Sequence, residues 1–101
     1  MKIRNMQSPN GNDVPNQFII TEEGRGALGN FDTRETFQSY DSVIATVTTW
    51  NGLKQVVTLD KTYWDYSRTT GKYRNIFLRE TKAETERKIA AGIYRLENLN
   101  K

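Results

Sequence analysis

The sequence predicts an α+β domain: a small antiparallel sheet of about four or five strands in the N-terminal part, two C-terminal helices on one face, and a final short strand. Three observations carry this expectation. Two runs rich in β-branched residues, Val43–Trp50 and Leu53–Leu59, flank Asn51-Gly52, a dipeptide suited to a two-residue hairpin turn. Between Ser67 and Arg79, apolar and small residues recur at helical spacing, as one face of a helix requires. A capping box, Thr81-Lys82-Ala83-Glu84, then precedes a helix-forming stretch that stops at Gly92.

Taken in order, residues 1–16 are polar and hold Pro9, Gly11 and Pro15. They read as a loose N-terminal arm ahead of a single domain over residues 17–101. Gln17–Thr21 favours a first strand and Glu35–Tyr40 a second, with a tight turn at Asp41-Ser42. A two-residue turn at Asn51-Gly52 pairs Trp50 with Leu53, Thr46 with Val57 and Ile44 with Leu59, and these six residues are assigned to the core face. The helix over Ser67–Arg79 has Ser67 as its cap, with Asp65 as a rival, and an inner face of Thr69, Tyr73, Ile76 and Phe77. A second helix runs from Lys82 to Ala91, and Ile93–Leu96 gives the last strand.

Gly24-Arg25-Gly26-Ala27-Leu28-Gly29 spells a phosphate-cradle pattern after a strand. That pattern needs to open a helix, and the residues from Asn30 to Arg34 have no helical period. A flexible hairpin loop that binds no nucleotide accounts for the glycines more simply.

Composition narrows the chemistry. The chain has 101 residues, 36% of them hydrophobic, with five Tyr, four Phe and two Trp. It has no Cys and no His. Disulfide frameworks, Cys- or His-ligated zinc, Cys nucleophiles and His bases are therefore excluded. No run approaches the roughly 18 apolar residues of a membrane span, and the first residues do not read as a signal peptide, so a cytoplasmic protein without membrane contact is expected. The net charge of +3 is uneven. Residues 1–60 hold five Lys/Arg against seven Asp/Glu, whereas residues 61–101 hold ten against five. The C-terminal half thus suits an anionic partner.

Phe37-Gln38-Ser39-Tyr40-Asp41-Ser42-Val43-Ile44-Ala45 follows a pattern S-Y-x-[ST]-x-[IV]-A, and Tyr66-Ser67-Arg68-Thr69-Thr70, with Lys72 close behind, follows Y-S-x-T-T. Together with the ending Ile89–Asn100, these stretches resemble a loose group of small phage and mobile-element accessory proteins, generally of unknown function. The resemblance covers about residues 35–100 and implies a phage-encoded accessory protein in the host cytoplasm. It supplies no catalytic residue and no ligand.

Three functions are weighed. Catalysis would fall to Asp60, Asp65 or Asp41 with Lys61 or Lys72, but turn and cap duties explain those residues, and no enzyme is expected. Direct binding of a host or phage protein, such as inhibition of a defence component, ranks first, anchored on an exposed aromatic such as Trp50 or Trp64. The alternative is nucleic acid on the basic face of the 67–79 helix. There Arg68, Lys72 and Arg79 form a stripe, Lys61, Arg74, Arg87 and Lys88 add charge, and Tyr63 and Trp64 offer stacking surfaces. Sheet edges could also pair two copies as a homodimer. No cofactor and no metal are expected.

Overall fold

The computed structural model describes residues 1–24, 32–50 and 54–100. The elements run β1 (Lys2–Gln7), β2 (Asp13–Glu23), β3 (Thr33–Ser39), β4 (Ser42–Trp50), β5 (Lys54–Asp60), α1 (Arg68–Leu78), α2 (Lys82–Ala90) and β6 (Arg95–Glu97). The strands form one six-stranded sheet in the order β1-β2-β3-β4-β5-β6. The first five are joined antiparallel as a meander, and β6 returns from the helices to lie parallel to β5. The α+β architecture expected from the sequence is the one observed, with five N-terminal strands.

The first of them, β1, lies in the segment read as a loose arm. Pro9 and Gly11 sit in the turn between β1 and β2, where Gly11 takes φ +82. Pro15 lies inside β2, at a break in the ladder between the pairs Asn5–Phe18 and Gln7–Asp13. A proline has no N–H to give a ladder, so a bulge is where a strand tolerates it. The Asn5 side chain donates to the Val14 carbonyl at 2.9 Å and bridges the gap. The breakers that suggested a loose arm are thus the turn and the bulge of a hairpin.

The register of β4 on β5 also departs from expectation. Thr46 pairs with Thr58, Val47 with Val57 and Trp50 with Lys54. This is one residue away from the register of a two-residue loop, and a slip of one exchanges the faces of a strand relative to its neighbour. The helix-side face therefore holds Ala45, Val47 and Thr49 beside Leu59, Val57 and Gln55. Thr46 and Trp50, assigned to the core from the sequence, lie on the opposite face with Thr48, Lys54, Val56 and Thr58 around a shallow depression of about 450 Å³. Asn51, Gly52 and Leu53, and the glycine loop after Gly24, lie outside the described residues. Ile44 keeps its core place by a second bulge, since Phe37 pairs with Ala45 and Gln38 with Val43. Ile44 and its neighbour Ala45 are both fully buried.

The core between sheet and helices has two clusters. Met6, Ile19, Phe37, Ile44 and Tyr73 form one, with Val14, Tyr63 and Phe77 at its margin. Ala45, Leu59 and Tyr94 form the other, with Val57, Trp64, Leu78 and Ile89 packed on it. Cutting a fully buried residue such as Leu59 back to Ala would cost about 2–5 kcal/mol.

The helix caps follow their sequence signals. The Ser67 hydroxyl accepts from the Thr70 N–H at 3.2 Å. Thr81 and Glu84 make the reciprocal capping box. Gly92, at φ +75, ends α2, and the Ile93 N–H reaches back to the Lys88 carbonyl at 2.9 Å. The inner face of α1 is turned from the expected one: Thr70, Gly71, Tyr73 and Arg74 are buried, whereas Thr69 and Ile76 are exposed. Arg74 takes the place that apolarity alone would give to Ile76.

Candidate functional site

The helices cover one end of the sheet and leave the other end of the same face bare. At the step between them lies a cleft of about 690 Å³. Its floor is Met6, Ile19, Val47 and Val57, supplied by β1, β2, β4 and β5 because alternate residues of each strand point to this side. Its wall is the last turn of α1, with Ile76, Phe77 and Leu78. Charged and amide groups ring it: Arg4, Gln7, Glu35 and Gln55 on the sheet side, with Arg79, Glu80, Glu84 and Lys88 on the helix side. Met6 and Ile19 belong to the core and are almost fully covered, so the accessible lining is mostly polar, with half-buried Val47 and Val57 and exposed Ile76 as its apolar part.

Part of the polar ring is engaged within the protein. Glu80 accepts from Lys88 at 2.7 Å and from the Tyr94 hydroxyl at 2.8 Å on one oxygen, and from Thr85 at 2.6 Å on the other. Burial alone would raise the Glu80 carboxyl, but the bonds from Lys88, Thr85 and Tyr94 hold it below the ordinary carboxylate range. Lys88 is pushed upward, chiefly by its bond to Glu80. Tyr94 also moves upward, through burial and then the bond to Glu80. Glu84 is occupied with the Thr81 cap. Among the described residues, Arg4, Arg79 and Glu35 make no ion pair within 4 Å, which leaves two cations and one anion on the rim for a partner.

The residues singled out from the sequence fall on α1, at its end and in the loop before it. Arg68 and Lys72 are exposed on α1. Arg79 is off the helix, at φ +58 in the left-handed region, where it ends α1 as glycine usually does. The left-handed backbone costs a residue with a Cβ about 1–2 kcal/mol. Tyr63 is half-buried against the first core cluster and meets the Tyr66 ring edge-on at 5.4 Å. Trp64 is half-buried against the second cluster, with the Arg74 guanidinium 5.2 Å from its ring centre.

Arg74, counted from the sequence among the surface cations, is 1% exposed. It donates to the Trp64 carbonyl at 2.8 Å, to Asp65 at 3.1 Å and to Asn75 at 2.9 Å. Lys82 pairs with the second oxygen of Asp65 at 2.7 Å. Asp65 therefore ties the loop to both helices instead of capping α1. Burial pushes its carboxyl up, and the bonds from Lys82 and Arg74 bring it below the ordinary range.

Asp60, fully buried, accepts from the backbone N–H of Leu99 at 2.7 Å, Tyr63 at 2.8 Å and Thr62 at 3.0 Å. Desolvation raises its carboxyl, and these bonds together with one to Asn100 outweigh it, so the group is lowered. This is the turn duty expected of it, and it also fixes the C-terminal tail. Among the described residues, no group of His, Cys, Asp and Glu could hold a metal ion. Among the same residues, no helix is long and apolar enough to cross a membrane.

The two motifs quoted from the sequence meet in space. Ser39 and Thr70, both fully buried, share a hydrogen bond of 3.0 Å between their hydroxyls. Tyr40, next to Ser39, is exposed and takes φ +55, and its N–H donates to the Asn16 carbonyl at 2.7 Å. A family model matches residues 1–92, from the first strand through the second helix. The chain belongs to the family of unknown function DUF8033. The matched region of this DUF8033 chain includes both halves of the Ser39–Thr70 joint and nearly all of the cleft lining, Tyr94 excepted. No curated protein and no solved structure matches it.

The cleft escaped the sequence because it depends on register. With Thr46 and Trp50 placed inward, Val47 appears to face solvent. The alternation of Ala45, Val47 and Thr49 in β4 could have been found only from the one-residue shift.

Proposed function

We propose that this protein is a non-catalytic accessory binding domain that takes a segment of another protein into the cleft beside the C-terminal end of α1. The observation that carries this reading is the group of half-buried Val47 and Val57 with exposed Ile76 inside a rim of mixed charge. Protein surfaces bury such apolar centres inside polar edges. A phage-type role, in which a host or phage protein is inhibited by direct binding, rests on the motif resemblance and gives the partner its expected source. Nucleic acid on α1 is the competing reading. It is weakened because Arg74 is internal and Lys82 and Lys88 are paired, which leaves Arg68 and Lys72 as the exposed cations of the helix itself.

Two variants separate these readings. Ile76 lines the cleft and is 40% exposed, so Ile76→Glu should leave the fold intact while placing a charge on the wall. Arg68→Gln/Lys72→Gln removes the α1 cations. Tagged wild type and both variants, each checked by circular dichroism, would be used to retain partners from host-cell extract, with retained proteins identified by mass spectrometry. A protein retained by wild type and by Arg68→Gln/Lys72→Gln, but weakened about tenfold or more by Ile76→Glu, supports the cleft. Retention indifferent to Ile76→Glu overturns it. Salt-sensitive binding of labelled DNA, lost only in Arg68→Gln/Lys72→Gln, would move the function to α1.

A further inference from the structure

The cleft opens sideways onto β1, which lies at one end of the strand order. The two edges of the sheet differ. At the far edge, β6 is three residues long, and the tail beyond it is held by Asp60 and by Asn100, whose side-chain amide pairs with both the N–H and the carbonyl of Val43 at 2.7 and 2.8 Å. At the near edge, β1 offers six residues with no strand beside it among the described residues. The backbone groups on such an edge are an open template for one more strand.

The side chains of β1 narrow the choice of strand. Lys2 and Arg4 pair with Thr21 and Ile19 and so stand on the cleft side, both exposed. Among the described residues, neither makes an ion pair within 4 Å. Ile3, between them, is 61% exposed on the opposite face. A second copy of β1 is a poor occupant. Paired antiparallel about Ile3, it would set Lys2 against Arg4, and like charges directly opposite destabilise a strand pair.

We propose that β1 receives an extended acidic segment as a seventh strand, with carboxylates on alternate residues facing Lys2 and Arg4 and apolar residues between them covering Ile3. This rests on the reading of the cleft as a protein-binding surface and names the chemistry of the partner segment at its β1 border. Backbone pairing gives the affinity, and the two cations set the charge preference.

The test uses the full isotopically labelled chain and three seven-residue peptides: alternating Glu and Val, alternating Lys and Val, and the Glu/Val peptide N-methylated at every second amide. Chemical-shift titration and amide exchange are read over β1 and the cleft. The Glu/Val peptide should slow exchange of outward amides in Lys2–Gln7 and shift the Arg4 and Met6 signals, more strongly at low salt. N-methylation should abolish binding. Lys2→Glu/Arg4→Glu, exposed and expected to fold, should weaken the Glu/Val peptide about tenfold and take the Lys/Val peptide instead.

Equal affinity for both charges, binding that survives N-methylation, or binding to none of the three peptides would overturn the proposal. Shifts in the cleft with no protection in β1 would do the same while leaving the cleft reading standing. Protection in β1 without shifts at Val47 would support strand addition, because Val47 in β4 stands three strands from β1.

Discussion

Ser39 and Thr70 stand 31 positions apart and share one buried hydrogen bond. Each belongs to a short polar motif whose residues look like turn and cap chemistry when read alone. Folding makes them one joint, in which the hydroxyl that ends β3 meets the hydroxyl in the first turn of α1. A buried hydroxyl left without its partner costs about 1–3 kcal/mol, whereas removing both partners costs less than the two losses summed. Ser39→Ala and Thr70→Val should each lower stability by about that amount in urea denaturation. The double variant should recover about 1 kcal/mol of the summed loss. Additive losses would mean that the bond carries no coupling and that the motifs act separately. Arg74 teaches a related lesson. Its sequence position spells a surface cation, yet in the interior its two terminal nitrogens donate to Trp64, Asp65 and Asn75, and only its Nε lacks a partner among the described residues. Burial of an arginine depends on partners that periodicity does not reveal.

At the scale of elements, local chemistry was legible and pairing was not. Ser67, Thr81, Glu84 and Gly92 cap the two helices where the sequence placed them, because a cap needs only its own few neighbours. The β-branched runs form β4 and β5 for the same reason. Register is a different kind of fact, since every residue between Trp50 and Lys54 moves the whole ladder by one. Asn51-Gly52 argued for two residues between the paired ends, and the observed pairing leaves three. The candidate site was illegible in part for that reason: the slip hid Val47, and Met6 lay in the segment read as a loose arm, whereas Val57 was already assigned to the inner face. A chain without cysteine permits a clean test of register. Thr49→Cys/Gln55→Cys, at paired positions, should oxidise to an intramolecular disulfide, because opposed Cα atoms lie within bridging reach. Thr48→Cys/Gln55→Cys would put the thiols on opposite faces and should stay reduced under the same conditions. Gel mobility with and without reductant reads the result, and the reverse pattern would restore the two-residue turn.

Across the whole molecule, three carboxylates sit where the helical layer joins the sheet. Asp60 gathers the end of β5, the following turn and the tail; Asp65 holds both helices; Glu80 holds the linker between them to Tyr94. All three are lowered from their ordinary values: burial pushes each one up, and the hydrogen bonds and charges around it outweigh that burial. A carboxyl with a lowered folded pKa binds protons more readily in the unfolded chain. Its contribution is therefore complete above the unfolded value and is lost as pH falls towards and through the folded one. Stability should stay nearly flat from neutrality down to about pH 5, then fall steeply, each of the three groups adding at most about 1.4 kcal/mol per pH unit of slope. Because these groups anchor the helices and the tail, the acid transition should free the helical layer from the sheet. The near-ultraviolet signal of Trp64, stacked on Arg74, would then change along with the loss of amide protection at Leu99. Urea midpoints measured from pH 7 to pH 3 give the slope, and Glu80→Gln, less stable at neutral pH because it removes the charge that Lys88 pairs with, should show a shallower fall. A curve for Glu80→Gln parallel to wild type would remove Glu80 from this account, and a wild-type midpoint unchanged at pH 3 would remove all three.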